Sequence, residues 1–207
     1  TNVERTRNKL APLHLNNQLT EAAELKLQDM FAKQYFEHVS PMGIDAKTLI
    51  EQAGYEFITI GENLALGNFL DDQALIQSWM ESPGHRANIL NPRYQNIGVA
   101  VHKGIFEGKT TWLAVQEFGR PLASCPKPEQ NLKDQITANE NQLDVWKSAL
   151  DELRGELNNE KIDEYNVLVN QYNALINSTK ELISQYNNQV KAFNQCLASW
   201  FYSTQGL

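Results

Sequence analysis

The chain reads as an α+β domain followed by an antiparallel α-helical hairpin, and three observations predict this. Its composition changes near Pro121: all four histidines and most of the glycines lie before it, and Asn and Gln abound after it. The first half mixes capped, helix-like segments with apolar strand-like runs. The second half keeps apolar residues alternately three and four apart over long stretches with no proline, the period of helices packed along a coiled-coil seam.

The 207 residues suffice for one large domain or for a domain with an appendage. A net charge of -7 argues against nucleic acid as a partner. No apolar run of about 18 residues is present, so no transmembrane segment is expected. No basic-then-apolar segment opens the numbering, so any signal peptide is expected to have been removed from it.

In the first half, residues 2–10 and 20–35 read as helices, with Thr20 as N-cap and Glu21 and Glu24 in the first turn. Residues 46–53 and 71–80 read as further helices, Gly54 stopping the former. Residues 97–102 and 110–118 read as strands of a β-hairpin, with Gly104 and Gly108 bracketing the loop. Gly108-Lys109-Thr110 is a hairpin turn and not a phosphate loop, because position 103 is Lys where that motif needs Gly.

The domain boundaries follow: residues 1–120, a Pro-rich linker over 121–128, and a helical hairpin over 129–207 with its turn near 158–161. Leu132, Ile136, Asn139, Leu143, Trp146, Leu150, Leu153 and Leu157 form one stripe. Ile162, Tyr165, Val169, Tyr172, Ile176, Thr179, Ile183, Tyr186, Val190, Phe193, Leu197 and Trp200 form a second. The spacing of five between Leu157 and Ile162, across a polar run, reads as a tight turn, one continuous helix with a phase slip being the alternative. In a hairpin turning near residue 159, facing residues have numbers summing to roughly 318. Cys125 then lies within one helical turn of Cys196, and a disulfide between them is expected, requiring Cα atoms within about 7 Å. Such a bond implies an oxidising, extracytoplasmic setting, whereas two free thiols would imply nothing. The Asn-Ser-Thr at 177–179 is a chance sequon in mid-helix.

Chemistry-bearing residues are few. His14 and His102 read as solvated surface residues. His38 follows a helix and precedes a Ser-Pro turn, His85 opens a short helix after Ser-Pro-Gly, and Glu62 follows an apolar run. His-Glu-x-x-His, Cys-x-x-Cys and Gly-x-Ser-x-Gly are all absent.

Four segments in order carry a resemblance: 36–43 around His38, Gly-Glu-Asn-Leu-Ala at 61–65, 79–92 around His85, and Ala-Val-Gln-Glu-Phe-Gly at 114–119. With Asn-Ile-Gly-Val-Ala-Val at 96–101, they resemble the CAP superfamily (cysteine-rich secretory/antigen 5/pathogenesis-related, or SCP, domains) in its bacterial branch. The resemblance covers about residues 1–120 and leaves the second half as an added module. It implies an α-β-α sandwich around an antiparallel sheet, and a cleft where two His and two acidic residues meet, which in some members binds zinc or another divalent metal. His38, Glu62 and His85 match that cleft. The fourth place is open: Ser82 and Leu113 stand where the eukaryotic branch has Glu and His, leaving Glu117 or Glu81.

Three functions compete. The first is a secreted or cell-envelope binding domain taking a peptide, lipid or glycan in the cleft. The second is a metal-dependent hydrolase with His38 and His85 as ligands and Glu62 as base, although no nucleophile or general-base pair is apparent. The third is an interaction protein whose hairpin docks a partner or self-associates beside a non-catalytic CAP scaffold. Two His and one Glu can equally form a hydrogen-bond cluster that only holds the sandwich together.

Overall fold

Strong strand patterning with both faces buried organises the first unit, Thr1–Ser124. The structure is a computed structural model and describes residues 1–156 and 158–198. Strands β1 (His14–Leu15), β2 (Phe57–Gly67), β3 (Asn96–Phe106) and β4 (Lys109–Pro121) form one sheet in the order β1-β3-β4-β2. The side chains of β4 alternate into two cores. Leu113 and Val115 pack with Leu64, Ala100 and with Ala23, Leu27 and Met30 of helix α2 (Asn17–Lys33). Ala114 and Phe118 pack with Ala65, Ile97 and with Leu75, Trp79 and Ile89 of helices α4 (Asp72–Glu81) and α5 (Pro83–Ile89). Each fully buried large apolar side chain contributes about 1.5–3 kcal/mol. Helices α1 (Asn2–Arg7) and α3 (Ala46–Gln52) complete the α-β-α layering, so the fold class expected for this half is the one present.

The details differ from the sequence reading where local chemistry has a competitor. The sheet is mixed rather than wholly antiparallel, because β1 runs parallel to β3. No tight turn joins these two strands, so nothing forces them antiparallel. Helix α2 starts three residues before Thr20: Asn16 is the cap, its side chain accepting from Leu19 N at 3.0 Å. Thr20 donates its hydroxyl to Asn16 O and sits inside the first turn. The β3–β4 loop is only Glu107-Gly108, both with positive φ (49° and 76°), a two-residue hairpin turn. Gly104 therefore lies inside β3, where a Cβ would stand 2.8 Å from the Phe31 ring.

Strand β2 is an edge, yet its outer carbonyls are satisfied. Tyr94 Oη donates to Ile60 O, Asn88 Nδ2 to Glu62 O and Trp79 Nε1 to Leu64 O, each at 3.0 Å. Three alternate carbonyls are thus capped by side chains from α4, α5 and the segment after them.

The second unit begins at Cys125. The segment just before it belongs to the first: β4 extends to Pro121, a 3-10 turn covers Leu122–Ser124, and Leu122 N donates to Glu56 O at 2.9 Å. Helices α6 (Gln130–Gly155) and α7 (Ile162–Ala198) form the hairpin, which removes the continuous-helix alternative. Asn158 turns the chain by accepting from Glu160 N and Lys161 N. Cys125 and Cys196 are disulfide-bonded, with Cα atoms 5.8 Å apart. In α7 the half-buried face includes Leu168, Leu175 and Leu182 beside Tyr165, Tyr172 and Tyr186, while Ile162 and Ile183 are exposed. Apolar residues flank the central line of α7 on both sides, and three-and-four counting follows either flank. Thr179 is buried at the expected core position and donates its hydroxyl to Leu175 O at 2.7 Å. Leu157 and Trp200 of the expected stripes lie outside the described residues.

Candidate functional site

The site forms beside β2 because an edge strand can be approached from both layers. Glu62 on β2 is register partner of Glu117 on β4, which in turn pairs with Gly98 on β3. Partners across a sheet point to one face, so both carboxyls are directed toward α2. A Cβ on Gly98 would stand 2.0 Å from the backbone of Leu19, so α2 crosses the sheet at this row only because Gly98 lacks a side chain. The segment after α2 then carries His38 over Glu62, and α5 brings His85 to the same edge from the other layer.

His38 Nδ1 lies 2.6 Å from Glu62 Oε1. The ring is mostly exposed (side chain 62%) and the carboxyl is not (4%), so the pair faces solvent through the imidazole alone. The hydrogen bond that His38 donates to Glu62 is the main cause that raises the His38 pKa above its ordinary value, against burial. His85 shifts the opposite way: partial burial lowers its pKa, and the charge of His38 lowers it further. The two imidazoles are therefore close enough to feel each other, and the neutral form of His85 is favoured beside a cationic His38.

Behind Glu62 stands Glu117, with 0% exposure. As carboxylates the two can only accept, and Glu62 Oε2 and both oxygens of Glu117 then lack any donor. A proton on Glu117 relieves this, and burial followed by the neighbouring Glu62 raises its pKa well above the ordinary carboxyl value. Of the two acids left for the fourth place, Glu117 is the one that stands beside Glu62. Glu81 is engaged elsewhere, accepting from Gln77 Nε2 on its own helix.

The next register row, Asn63–Gln116, points to the opposite face and carries a neutral network. Asn88 Nδ2 donates to Glu62 O and to Asn63 Oδ1, and Asn63 Nδ2 donates to His85 O and Gln116 Oε1. Gly61, just before Glu62, is also required: a Cβ there would meet Tyr94 Oη at 2.1 Å. Lys26, which sequence reasoning missed, is buried on α2 beneath the His38 segment. A lysine on an amphipathic helix reads as a solvated residue, and no local signal marks it otherwise. Of the remaining histidines, His14 is exposed on β1, and His102 is exposed and paired with Glu24 at 2.8 Å.

The match to the cysteine-rich secretory protein family (CAP) spans residues 1–118. The chain belongs to the CAP family. Its CAP domain is 38% identical over 118 residues to the uncharacterized protein YkwD of Bacillus subtilis (strain 168), covering 57% of this chain and 43% of that one. It is 36% identical over 103 residues to the uncharacterized membrane protein YlbC of the same organism, covering 50% and 30%. The chain thus spans less than half the length of these curated relatives, and both place its CAP domain in the bacterial branch. Among solved structures it is similar to an extracellular protein containing a SCP domain from Bacillus anthracis str. Ames, with 30% identity and a TM-score of 0.49 over 57% of this chain and 37% of that one. An outer surface protein from Borrelia burgdorferi matches at 18% identity and a TM-score of 0.48, over 58% and 86%.

The CAP resemblance implies a divalent metal in this cleft for some members, but the donor set of this chain, as arranged, does not fit one. Among the described residues no group of three or more His, Cys, Asp or Glu side chains is arranged to hold a metal ion. His38 spends Nδ1 on Glu62, the second Glu62 oxygen is buried, and His85 adds one imidazole. By residue type these are the two His and one Glu of some catalytic zinc sites, but with one Glu62 oxygen on His38 and the other buried, the carboxylate does not open toward a shared ion.

Proposed function

We propose that this chain is an extracytoplasmic CAP-domain protein whose His38–Glu62–His85 cleft binds the acidic or acceptor-rich group of a ligand. The observation that carries this reading is the 2.6 Å contact of His38 Nδ1 with the buried Glu62 carboxyl. It fixes the ring and leaves Nε2 on the exposed side, and a protonated His38 offers Nε2–H to an acceptor. A carboxylate or phosphate on a peptide, lipid or glycan has that chemistry, and such charge-assisted bonds are the strong ones. Hydrolysis with Glu62 as base is less well supported, since one oxygen faces His38 and the other is buried. The Cys125–Cys196 bond supports an oxidising compartment. No helix among the described residues is long and apolar enough to cross a membrane. The hairpin, with Val145, Ile162 and Val167 exposed, we read as an interaction module.

The test follows the imidazole NMR signals of His38 and His85 at about pH 6.5, near the ordinary histidine value, during separate additions of inorganic phosphate and of zinc. Saturable phosphate shifts at both rings, abolished in His38→Ala, are expected. Stoichiometric zinc, lost in the His38→Ala/His85→Ala protein, would reassign the cleft to a metal; silence toward both would refute the binding reading.

A further inference from the structure

Lys26 is fully buried, yet no carboxylate forms an ion pair with it at contact distance among the described residues. Its ammonium donates instead to two consecutive backbone carbonyls, Glu37 O at 2.8 Å and His38 O at 2.7 Å. A longer third contact reaches Tyr35 Oη at 3.4 Å, and the ring centre of Tyr35 lies 5.0 Å away. Tyr35 is itself fixed by donating to Asp29 Oδ2 at 2.8 Å. The three donors of a lysine ammonium are therefore all directed at the segment that carries His38. Two carbonyls drawn to one cation constrain the backbone on both sides of the His38 Cα, and so the direction in which its ring leaves the chain. The carboxyls of Glu62 and Glu117 lie close enough to act on the same charge. His38 is thus gripped at two points, its backbone by Lys26 and its ring by Glu62.

We infer that Lys26 is the positioning residue of the cleft, holding the His38 backbone so that its imidazole seats on Glu62. This rests on the reading of His38–Glu62 as the centre of the site, and it adds a residue that touches no ligand. A lysine in this role differs from one that merely balances buried charge, and the two roles have opposite signatures. A neighbouring cation opposes protonation of His38, so removing the charge alone moves the His38 titration upward. Loss of the seat on Glu62 removes the larger, opposing effect and moves it downward.

The experiment is a proton NMR titration of His38 in the full chain without any ligand, comparing wild type with Lys26→Met. A downward shift of about half a pH unit or more is expected, with the ring signal broadened. Tyr35→Phe removes the 3.4 Å contact and the Tyr35–Asp29 bond but leaves both carbonyl contacts of Lys26, and is expected to titrate as wild type. Should Lys26→Met fail to fold, it is made in a Glu117→Gln background, which removes the buried acid beside Glu62, and the same downward shift relative to Glu117→Gln alone is expected. A His38 titration that stays in place or moves upward in either folded variant overturns the assignment. Because no ligand is present, this result is separable from the binding test: phosphate and zinc can both fail while His38 still unseats.

Discussion

At Glu117, burial beside Glu62 leads to an expected pH dependence of stability. Its folded pKa is raised, so the folded chain holds a proton that the unfolded chain releases above the ordinary carboxyl range. Stability contributed by that proton is complete below the unfolded value and declines as pH rises toward the folded one. Glu117→Gln keeps the neutral shape and removes the titration. Its stability in thermal unfolding is expected to match wild type near about pH 4 and to exceed it near about pH 8, by on the order of 1 kcal/mol or more. Equal stability at the higher pH would place an ionised Glu117 in the native state. His38 carries the same sign, since its pair with Glu62 adds stability at low pH that is lost as pH rises through its raised pKa. Glu62→Gln is expected to bring the His38 NMR titration down toward the ordinary histidine value and leave His85 below it.

Legibility in the sequence varied with how local each signal is. His38, Glu62 and His85 stand in short segments whose order is distinctive, and the structure brings them to one strand edge. Glu117 was legible only as one of two acids left for the open fourth place, within Ala-Val-Gln-Glu-Phe-Gly at 114–119. Lys26 was not legible, because its contacts reach 11 and 12 residues along the chain to backbone atoms that no pattern marks. Thr20 misled because Ser, Thr and Asn all cap helices, and Asn16 took the place one turn earlier.

At the scale of elements, the crossing of α2 over β3 decides where the cleft can form. Gly98 lets the helix backbone touch the strand, which lowers Lys26 toward the carboxyl row. Gly98→Ala places a methyl group inside the Leu19 backbone, so α2 must lift. A loss of about 2–4 kcal/mol is expected from denaturant unfolding, within the range of overpacked or strained cores. Any folded fraction is expected to show His38 titrating closer to its ordinary value. A midpoint within experimental error of wild type would mean that the helix is not held at this crossing. Most helices and the β3–β4 hairpin of the first unit are legible from period, caps and turns, whereas β2 shows only as an apolar run without bounds and β1 not at all, since two residues carry no pattern. In α7 the period was right, and the face was ambiguous because Leu168, Leu175 and Leu182 flank the same line as Val169 and Ile176.

At the scale of the whole molecule, the hairpin depends on its covalent tie more than the CAP domain depends on anything comparable. Cys125 and Cys196 are 71 residues apart, and closing a loop of that length lowers unfolded-chain entropy by about 4 kcal/mol. Few residues of the described hairpin are fully buried, so little else offsets the loss of that tie. Mild reduction is expected to lower the midpoint of the helical far-UV signal by several degrees or more. The aromatic near-UV signal of Trp79 and Tyr94 packed in the CAP core is expected to persist. Coincident loss of both signals would show one cooperative unit.

The three side chains along β2 have a consequence for the protein in concentrated solution. An uncovered border of a sheet is a template on which another chain can add a strand, the first step of ordered aggregation. Here Tyr94, Asn88 and Trp79 occupy the carbonyls that such a strand would need. Asn88→Ala frees the Glu62 carbonyl at the middle of that border, and light scattering at high concentration is expected to rise well before the fold itself is lost. The same asparagine that bonds the cleft strand thus also covers a carbonyl on which a further strand would pair.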